Sequence, residues 1–172
     1  ILLGDRFEIF AAASAAHTMG IPIVHLHGGE VTEGSIDDGY RHGITKLSSL
    51  HFTATTEYRK RVIQMGQRPK SVHVVGALGL DAIKNVMPVS QPALEDFLGI
   101  SLSGDSLLVT LHPETHGAEP AEDQVTGMFD ALARVDASLI FTMPNADSGG
   151  RRIWSFIESF VAENRSRACL HR

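Results

Sequence analysis

The chain has 172 residues, enough for one ordinary domain or parts of two, and with 43% hydrophobic against 20% charged residues it can bury a sizeable core. Its 15 Lys and Arg against 20 Asp and Glu leave a formal charge of −5, the wrong sign for a chain that wraps nucleic acid, although a small anionic ligand held by a local cluster of donors stays open. The single cysteine, Cys169, excludes an intrachain disulfide and a cysteine-built metal centre, and fits a reducing, cytoplasmic compartment.

Short apolar runs alternate with longer stretches of helical period. The chain opens on a strand-like run at 1–3, with Ile1 rather than Met in first place and no basic stretch ahead of an apolar one, so the natural N-terminus is expected upstream and the chain is read as a fragment. An Ala-rich helix follows at 7–19, closed by Gly20 with Pro22 just beyond. Its longest apolar stretch, 9–16, contains Ser14 and stops at His17, far short of the ~18 to 20 residues of a bilayer span. Next come a strand at 23–27, a helix at 36–48, a strand at 50–53, a helix at 57–65 closed by Gly66, and a strand at 72–75. Between 84 and 104 the alternation falters: Pro88, Ser90, Gln91 and Pro92 precede only a short helix at 93–98, a composition that marks a linker. The alternation resumes with strands at 107–111, 139–142 and 168–171 and helices at 120–135 and 151–163. Val125, Met128, Phe129 and Leu132 share one helical face, as do Ile153, Ile157, Phe160 and Val161. Most strand runs are continuously apolar, as expected of parallel strands covered on both faces. The expected class is therefore α/β, with Rossmann-like doubly wound parallel sheets: 1–85 the C-terminal part of one such domain and 86–172 the N-terminal part of a second.

In open α/β sheets, ligands bind beyond the carboxyl ends of the strands, and the residues there are polar. Gly4-Asp5-Arg6 follows the first strand, His27-Gly28-Gly29-Glu30 the second, His112-Pro113-Glu114-Thr115 the fifth and Pro144-Asn145-Ala146-Asp147-Ser148-Gly149-Gly150 the sixth. Asp5 and Arg6 read either as a helix cap with a first-turn ion pair, or as an acid/base group beside a phosphate contact. Glu30 reads as a solvated loop carboxylate or as one aimed into a cleft by the Gly-Gly turn. His25 and His27, two apart on a strand and so on one face, form with Glu30 a sparse set for a metal; hydrogen-bonded histidines are the commoner outcome, and no metal is expected. Asp37 and Arg41 are spaced as a surface i,i+4 ion pair, with Asp38 beside them and His42 placed to turn towards the cleft. His112 ends a strand before Pro113 and is either satisfied by a backbone carbonyl or free to touch a ligand. Gly76-Ala77-Leu78-Gly79 is a tight turn with at most a weak suggestion of a phosphate cradle. No P-loop, complete GxGxxG, HExxH or GxSxG occurs, so triphosphatase and serine-nucleophile chemistry lack support.

In order along the chain, Gly4-Asp5-Arg6-Phe7-Glu8, His25-Leu26-His27-Gly28-Gly29-Glu30, Ile36-Asp37-Asp38 through Arg41-His42, Ile44-Thr45-Lys46-Leu47 and His51-Phe52, then Val75-Gly76-Ala77, His112-Pro113 and Pro144-Asn145-Ala146-Asp147-Ser148-Gly149 resemble the hydrolysing UDP-N-acetylglucosamine 2-epimerases. The resemblance implies a two-domain fold of the glycosyltransferase-B type with a nucleotide-sugar cleft between Rossmann-like domains. It also implies conversion of UDP-GlcNAc, or a 2-acetamido relative, to UDP and a ManNAc-type sugar on the way to sialic-acid-like nonulosonates. By motif, Asp5, Glu30 and Asp37 become acid/base candidates with Asp38 and His42 nearby, while Arg6, His112 and Asn145 become contacts for the nucleotide or diphosphate. A UDP-sugar is the expected partner, with neither nucleic acid nor membrane, no cofactor, and a homo-oligomer as the working state. Two features depart from the family pattern. Gly39 and Gly43 fall within a helix, at roughly 1 kcal/mol each relative to Ala. The family's N-terminal strand-loop unit and its C-terminal segment that holds UDP are expected to lie outside these residues. A glycosyltransferase of the same architecture and a catalytically silent nucleotide-sugar-binding fragment are the competing readings; the first needs an acceptor, the second binds without turnover.

Overall fold

The computed structural model describes residues 1–113 and 121–171. The chain forms two compact units, Ile1–Val86 and Met87–Arg172. In the first, β1 (Leu2–Leu3), β2 (Val24–Leu26), β3 (Leu50–Thr53) and β4 (Val72–Val74) make one parallel sheet in that order. The connecting helices are α1 (Phe7–Thr18), α2 (Asp37–Leu47) and α3 (Thr56–Gln64), followed by α4 (Leu78–Asn85). In the second unit α5 (Gln91–Leu98) leads into a parallel sheet of β5 (Ser106–Val109), β6 (Ser138–Thr142) and β7 (Ala168–His171), with α6 (Ala121–Arg134) and α7 (Gly150–Glu163) between them. The parallel α/β class matches expectation. Among the described residues no helix is long and apolar enough to cross a membrane.

Local chemistry accounts for the element ends. The Thr55 hydroxyl accepts the Tyr58 amide at 3.2 Å and caps α3. The Arg167 guanidinium donates to the carbonyls of Leu132 and Val135 at 3.1 and 3.0 Å, satisfying the last turn of α6. The expected faces of α6 and α7 meet in the core of the second unit: Val125, Phe129, Leu132, Ile153, Ile157 and Phe160 are buried with Leu139 and Phe141 of β6. Pro120, expected to open α6, lies outside the described residues, as do Glu114 and Thr115.

Three expectations are revised. Within 84–104, residues 86–90 form no helix or strand and the expected short helix is present as α5, beginning two residues earlier than expected; the Glu95 carboxylate accepts the Leu102 amide at 2.7 Å, folding the following chain back onto the helix. Helix α4 stands where only a turn at 76–79 was read. The sheet of the first unit also departs from the expectation that most strands are continuously apolar. β3 alternates, and its fully buried positions are His51 and Thr53; the buried position of β2 is His25, which pairs in register with His51. The Thr53 hydroxyl finds partners, lying 3.3 Å from both the Thr55 and His73 carbonyls, whereas both ring nitrogens of His51 are buried with no hydrogen-bond partner among the described residues. The apolar core beside this sheet is small, built on Ala13, Ile23 and Ile44.

Candidate functional site

The strand ends of the first unit converge on Arg41, a residue of α2 only 5% exposed. A buried guanidinium requires compensation, and its fork is filled. One Nη donates to the Asp5 carboxylate beyond β1 and, at 3.0 Å, to the Thr32 hydroxyl; the other donates to Asp38 at 2.9 Å. The Thr32 amide donates to the same Asp38 oxygen at 3.3 Å, tying the loop after β2 to the start of α2. The expected surface pair of Asp37 with Arg41 is thus replaced by a buried fork that selects Asp5 and Asp38. The cause is that α2 turns this face into the unit. Asp37 opens the helix half-buried, its amide donating to the Ser35 hydroxyl at 3.1 Å. Asp37 and Asp38 in the first turn also complement the positive end of the α2 dipole. Nε2 of His42 lies 3.7 Å from Asp38, an electrostatic rather than hydrogen-bonding distance, and its Nδ1 is buried with no partner among the described residues.

The loop after β2 is held just as closely. β2 ends at Leu26, and His27 adopts a left-handed backbone (φ +64°), which ends the alternation that would set His25 and His27 on one face. His25 is fully buried, with Nδ1 3.1 Å from the Thr45 hydroxyl and Nε2 3.2 Å from the Gly4 carbonyl, so both ring nitrogens are occupied and neither is available to a metal. Burial pushes its pKa down to about 4, with the Gly4 bond opposing that shift. His27 instead turns Nδ1 to the Glu30 carboxylate at 2.8 Å. Gly29 is required between them: its φ is +83°, a Cβ there would overlap the Tyr58 carbonyl, and its own carbonyl accepts from Arg61. Among the described residues no cluster of three or more His, Cys, Asp or Glu is arranged to hold a metal ion.

Arg6 precedes α1 without a side-chain cap; its guanidinium reaches Glu8 at 3.4 Å and lies 5.9 Å from the centre of the Phe7 ring. Arg6 therefore pairs with Glu8 of the first turn of α1, while Asp5 goes to Arg41.

In the second unit, parallel pairing of β5 with β6 brings the loops after both strands together. The Asn145 amide donates to Nδ1 of His112 at 3.1 Å, which leaves the ring proton on the exposed Nε2. The Asn145 side chain donates to Asp147 at 2.5 Å, and a Cβ on Gly150 would overlap the Asn145 carbonyl, so this loop turns tightly into α7. Beside it a hollow of about 280 Å³ is lined by Asn145, Asp147, Arg151 and Trp154, among others.

The structure thus joins Asp5 with Asp38, and His112 with Asn145, and it pairs Glu30 with His27. Sequence reasoning missed Arg41 as the hub and gave Thr32 no role. A pattern of spacings carries no signal for a contact such as Asp5 with Arg41, 36 residues apart.

The family model for UDP-N-acetylglucosamine 2-epimerase matches residues 1–171. A Campylobacter jejuni protein named GDP/UDP-N,N′-diacetylbacillosamine 2-epimerase (hydrolyzing) is 38% identical over 99% of this chain and 44% of its own length. The Escherichia coli polysialic acid biosynthesis protein P7 is 39% identical over 97% of this chain and 43% of its own. The chain therefore spans less than half the length of these relatives. The crystal structure of Methanocaldococcus jannaschii UDP-GlcNAc 2-epimerase in complex with UDP-GlcNAc and UDP superimposes with a TM-score of 0.73 at 17% identity, over 99% of this chain and 48% of that one, a likeness of fold. With a family model matched from end to end and two relatives near 40% identity, this chain belongs to the UDP-N-acetylglucosamine 2-epimerase family.

Proposed function

We propose that the full-length protein carrying this chain is a hydrolysing 2-epimerase that converts UDP-GlcNAc, or a diacetylated relative of the kind named for the C. jejuni protein, and water to UDP and a free sugar of the manno type at C2. The observation that carries this reading is the set of carboxylates at the strand ends of the first unit: Asp5 and Asp38 on the Arg41 fork, and Glu30 on His27. The proton at C2, beside the acetamido group, is a weak acid, so its removal has to be coupled to departure of UDP. The C2–H bond breaks towards a base, its electron pair forms the C1–C2 double bond, and the C1–O bond breaks with UDP taking the pair. Water then adds across the double bond, hydroxyl to C1 and a proton to the opposite face of C2. One group must accept a proton and another supply one, and neither step calls for redox chemistry. Asp5, Glu30, Asp37, Asp38 and His42 are the acid/base candidates. Arg6, with its guanidinium, His112, with an exposed ring, and Asn145, with its carboxamide, suit the leaving diphosphate or the uracil.

The test is turnover of the full-length protein in deuterated water without any acceptor. Deuterium at C2 of a free sugar is expected. Complete retention of the substrate hydrogen rules out the elimination route, and a product that forms only with an acceptor present identifies a transferase.

A further inference from the structure

His27 enters the reading above only as the partner of Glu30, yet it is the described non-glycine residue that adopts a left-handed backbone, and its surroundings hold it there. Its amide donates to the Phe52 carbonyl at 2.9 Å, the following Gly28 is boxed against His25 and Thr45, and Gly29 is pinned by Tyr58 and Arg61. The result is an imidazole with Nδ1 fixed 2.8 Å from the Glu30 carboxylate, 23% exposed, whose Nε2 meets no partner among the described residues.

The other buried imidazoles of the first unit are closed off. Both nitrogens of His25 are occupied and the ring is buried; His51 is fully buried on β3, its nitrogens without a partner among the described residues. His42 stands 3.7 Å from Asp38 with its second nitrogen buried. Among the described residues, only the His27 ring combines a carboxylate on one nitrogen with an open second nitrogen. An ionised carboxylate accepts only, so the neutral ring carries its proton on Nδ1 and presents the Nε2 lone pair. Protonation at Nε2 then produces an imidazolium directly against the Glu30 charge, the arrangement by which a carboxylate orients and supports an imidazole base.

We infer that His27 is a catalytic base of the proposed epimerase, accepting the substrate's C2 proton at Nε2, and that Glu30 is its positioning residue, acting through the imidazole rather than on the sugar. The inference rests on the proposed reaction and specifies one of its steps: the C2 proton goes to Nε2 as the C2–H electron pair forms the double bond and UDP leaves. The proton that later reaches C2 from the opposite face must come from another group, for which Asp5 and Asp38 are candidates.

Three variants of the full-length protein test this: His27→Asn, because Asn accepts the left-handed backbone, Glu30→Gln, and the two combined. With UDP affinity and unfolding midpoint kept, His27→Asn is expected to lower kcat at least 100-fold, and the rate of deuterium entry at C2 with it. The double variant should fall no further than His27→Asn, since both changes disable one unit. If His27→Asn costs less than tenfold while Glu30→Gln abolishes turnover, Glu30 touches the substrate itself and the inference is overturned. Nitrogen NMR of the histidine rings separates this from the fate of the reaction: the neutral His27 ring should carry its proton on Nδ1 in the parent and lose that preference in Glu30→Ala. A ring protonated on Nε2 in the parent overturns the dyad even if the protein proves to be an epimerase. A correct tautomer in a protein that releases no free sugar overturns the proposed function, and with it the assignment of the base.

Discussion

At the scale of single residues, Arg41 and His25 are buried polar groups with named partners, and His25 shows what such burial costs. Burial holds its pKa at about 4 against an ordinary 6.5, and His51, buried beside it in register, is displaced the same way. A histidine whose folded pKa is depressed favours the folded state only while the unfolded chain is also neutral. Above pH 6.5 its contribution is fully present. As pH falls from 6.5 to 4 the unfolded state takes up a proton that the folded state refuses, and stability drops; below about 4 both bind it and the slope vanishes. At 1.36 kcal/mol per unit, His25 alone accounts for about 3 kcal/mol across that window. Urea midpoints measured from pH 7 to pH 4 should therefore fall more steeply in the parent than in His25→Asn. Parallel curves would mean that the ring is solvated or already charged in the fold. Little of this was legible beforehand. Strand position could mark His25 as inward-facing, but its partners Gly4 and Thr45 lie 21 and 20 residues away, and only the fold brings them to the ring. Asp5, Glu30 and Asp38 stood out because they follow strands or open a helix, a positional signal, whereas Arg41 was masked by its i,i+4 spacing from Asp37.

At the scale of elements, the strands and the long helices were readable because apolar period and stop signals agreed, as at Gly20 and Pro22 after α1 and Gly66 after α3. Helix α4 was not, because Gly76 and Gly79 within four residues weaken any helical signal and no residue of α4 is buried to impose a period. The two glycines of α2 show how packing divides equal sequence signals. A Cβ on Gly39 meets nothing within 4 Å, whereas one on Gly43 would stand 2.7 Å from the Phe10 ring, where α1 packs across α2. Gly39→Ala should therefore raise stability by about 1 kcal/mol through helix propensity alone. Gly43→Ala gains the same propensity but must displace an aromatic ring that also meets Tyr40 at 5.6 Å, and overpacking of this kind costs ~1–3 kcal/mol, so its net effect should be destabilising. Chemical denaturation of the two variants side by side decides the matter. Equal stabilisation would show that the Phe10 ring does not rest on α2.

At the scale of the whole molecule, the candidate residues divide by chemistry as well as by position along the chain. The acid/base candidates all belong to the first unit, and two of the three donor candidates, His112 and Asn145, belong to the second. The division has a physical basis. The first unit presents carboxylates backed by a cation or an imidazole, groups that accept and return protons; the loops after β5 and β6 present a ring N–H and an amide, groups that stabilise a fixed negative charge or a uracil edge. Variants of the full-length protein should separate accordingly. Asp5→Asn keeps an oxygen for the Arg41 fork but cannot take a proton, so it should lower kcat by about 100-fold or more while leaving UDP affinity nearly intact. Arg6→Ala, His112→Ala and Asn145→Ala should chiefly weaken UDP binding, by roughly 1–3 kcal/mol for a lost charge-assisted contact. Calorimetric titration with UDP beside the turnover rate of each variant reads both quantities on the same protein. If Asp5→Asn loses UDP affinity while His112→Ala loses only rate, the roles are reversed: the first unit would then hold the nucleotide and the second carry out the chemistry, even though the family assignment stands.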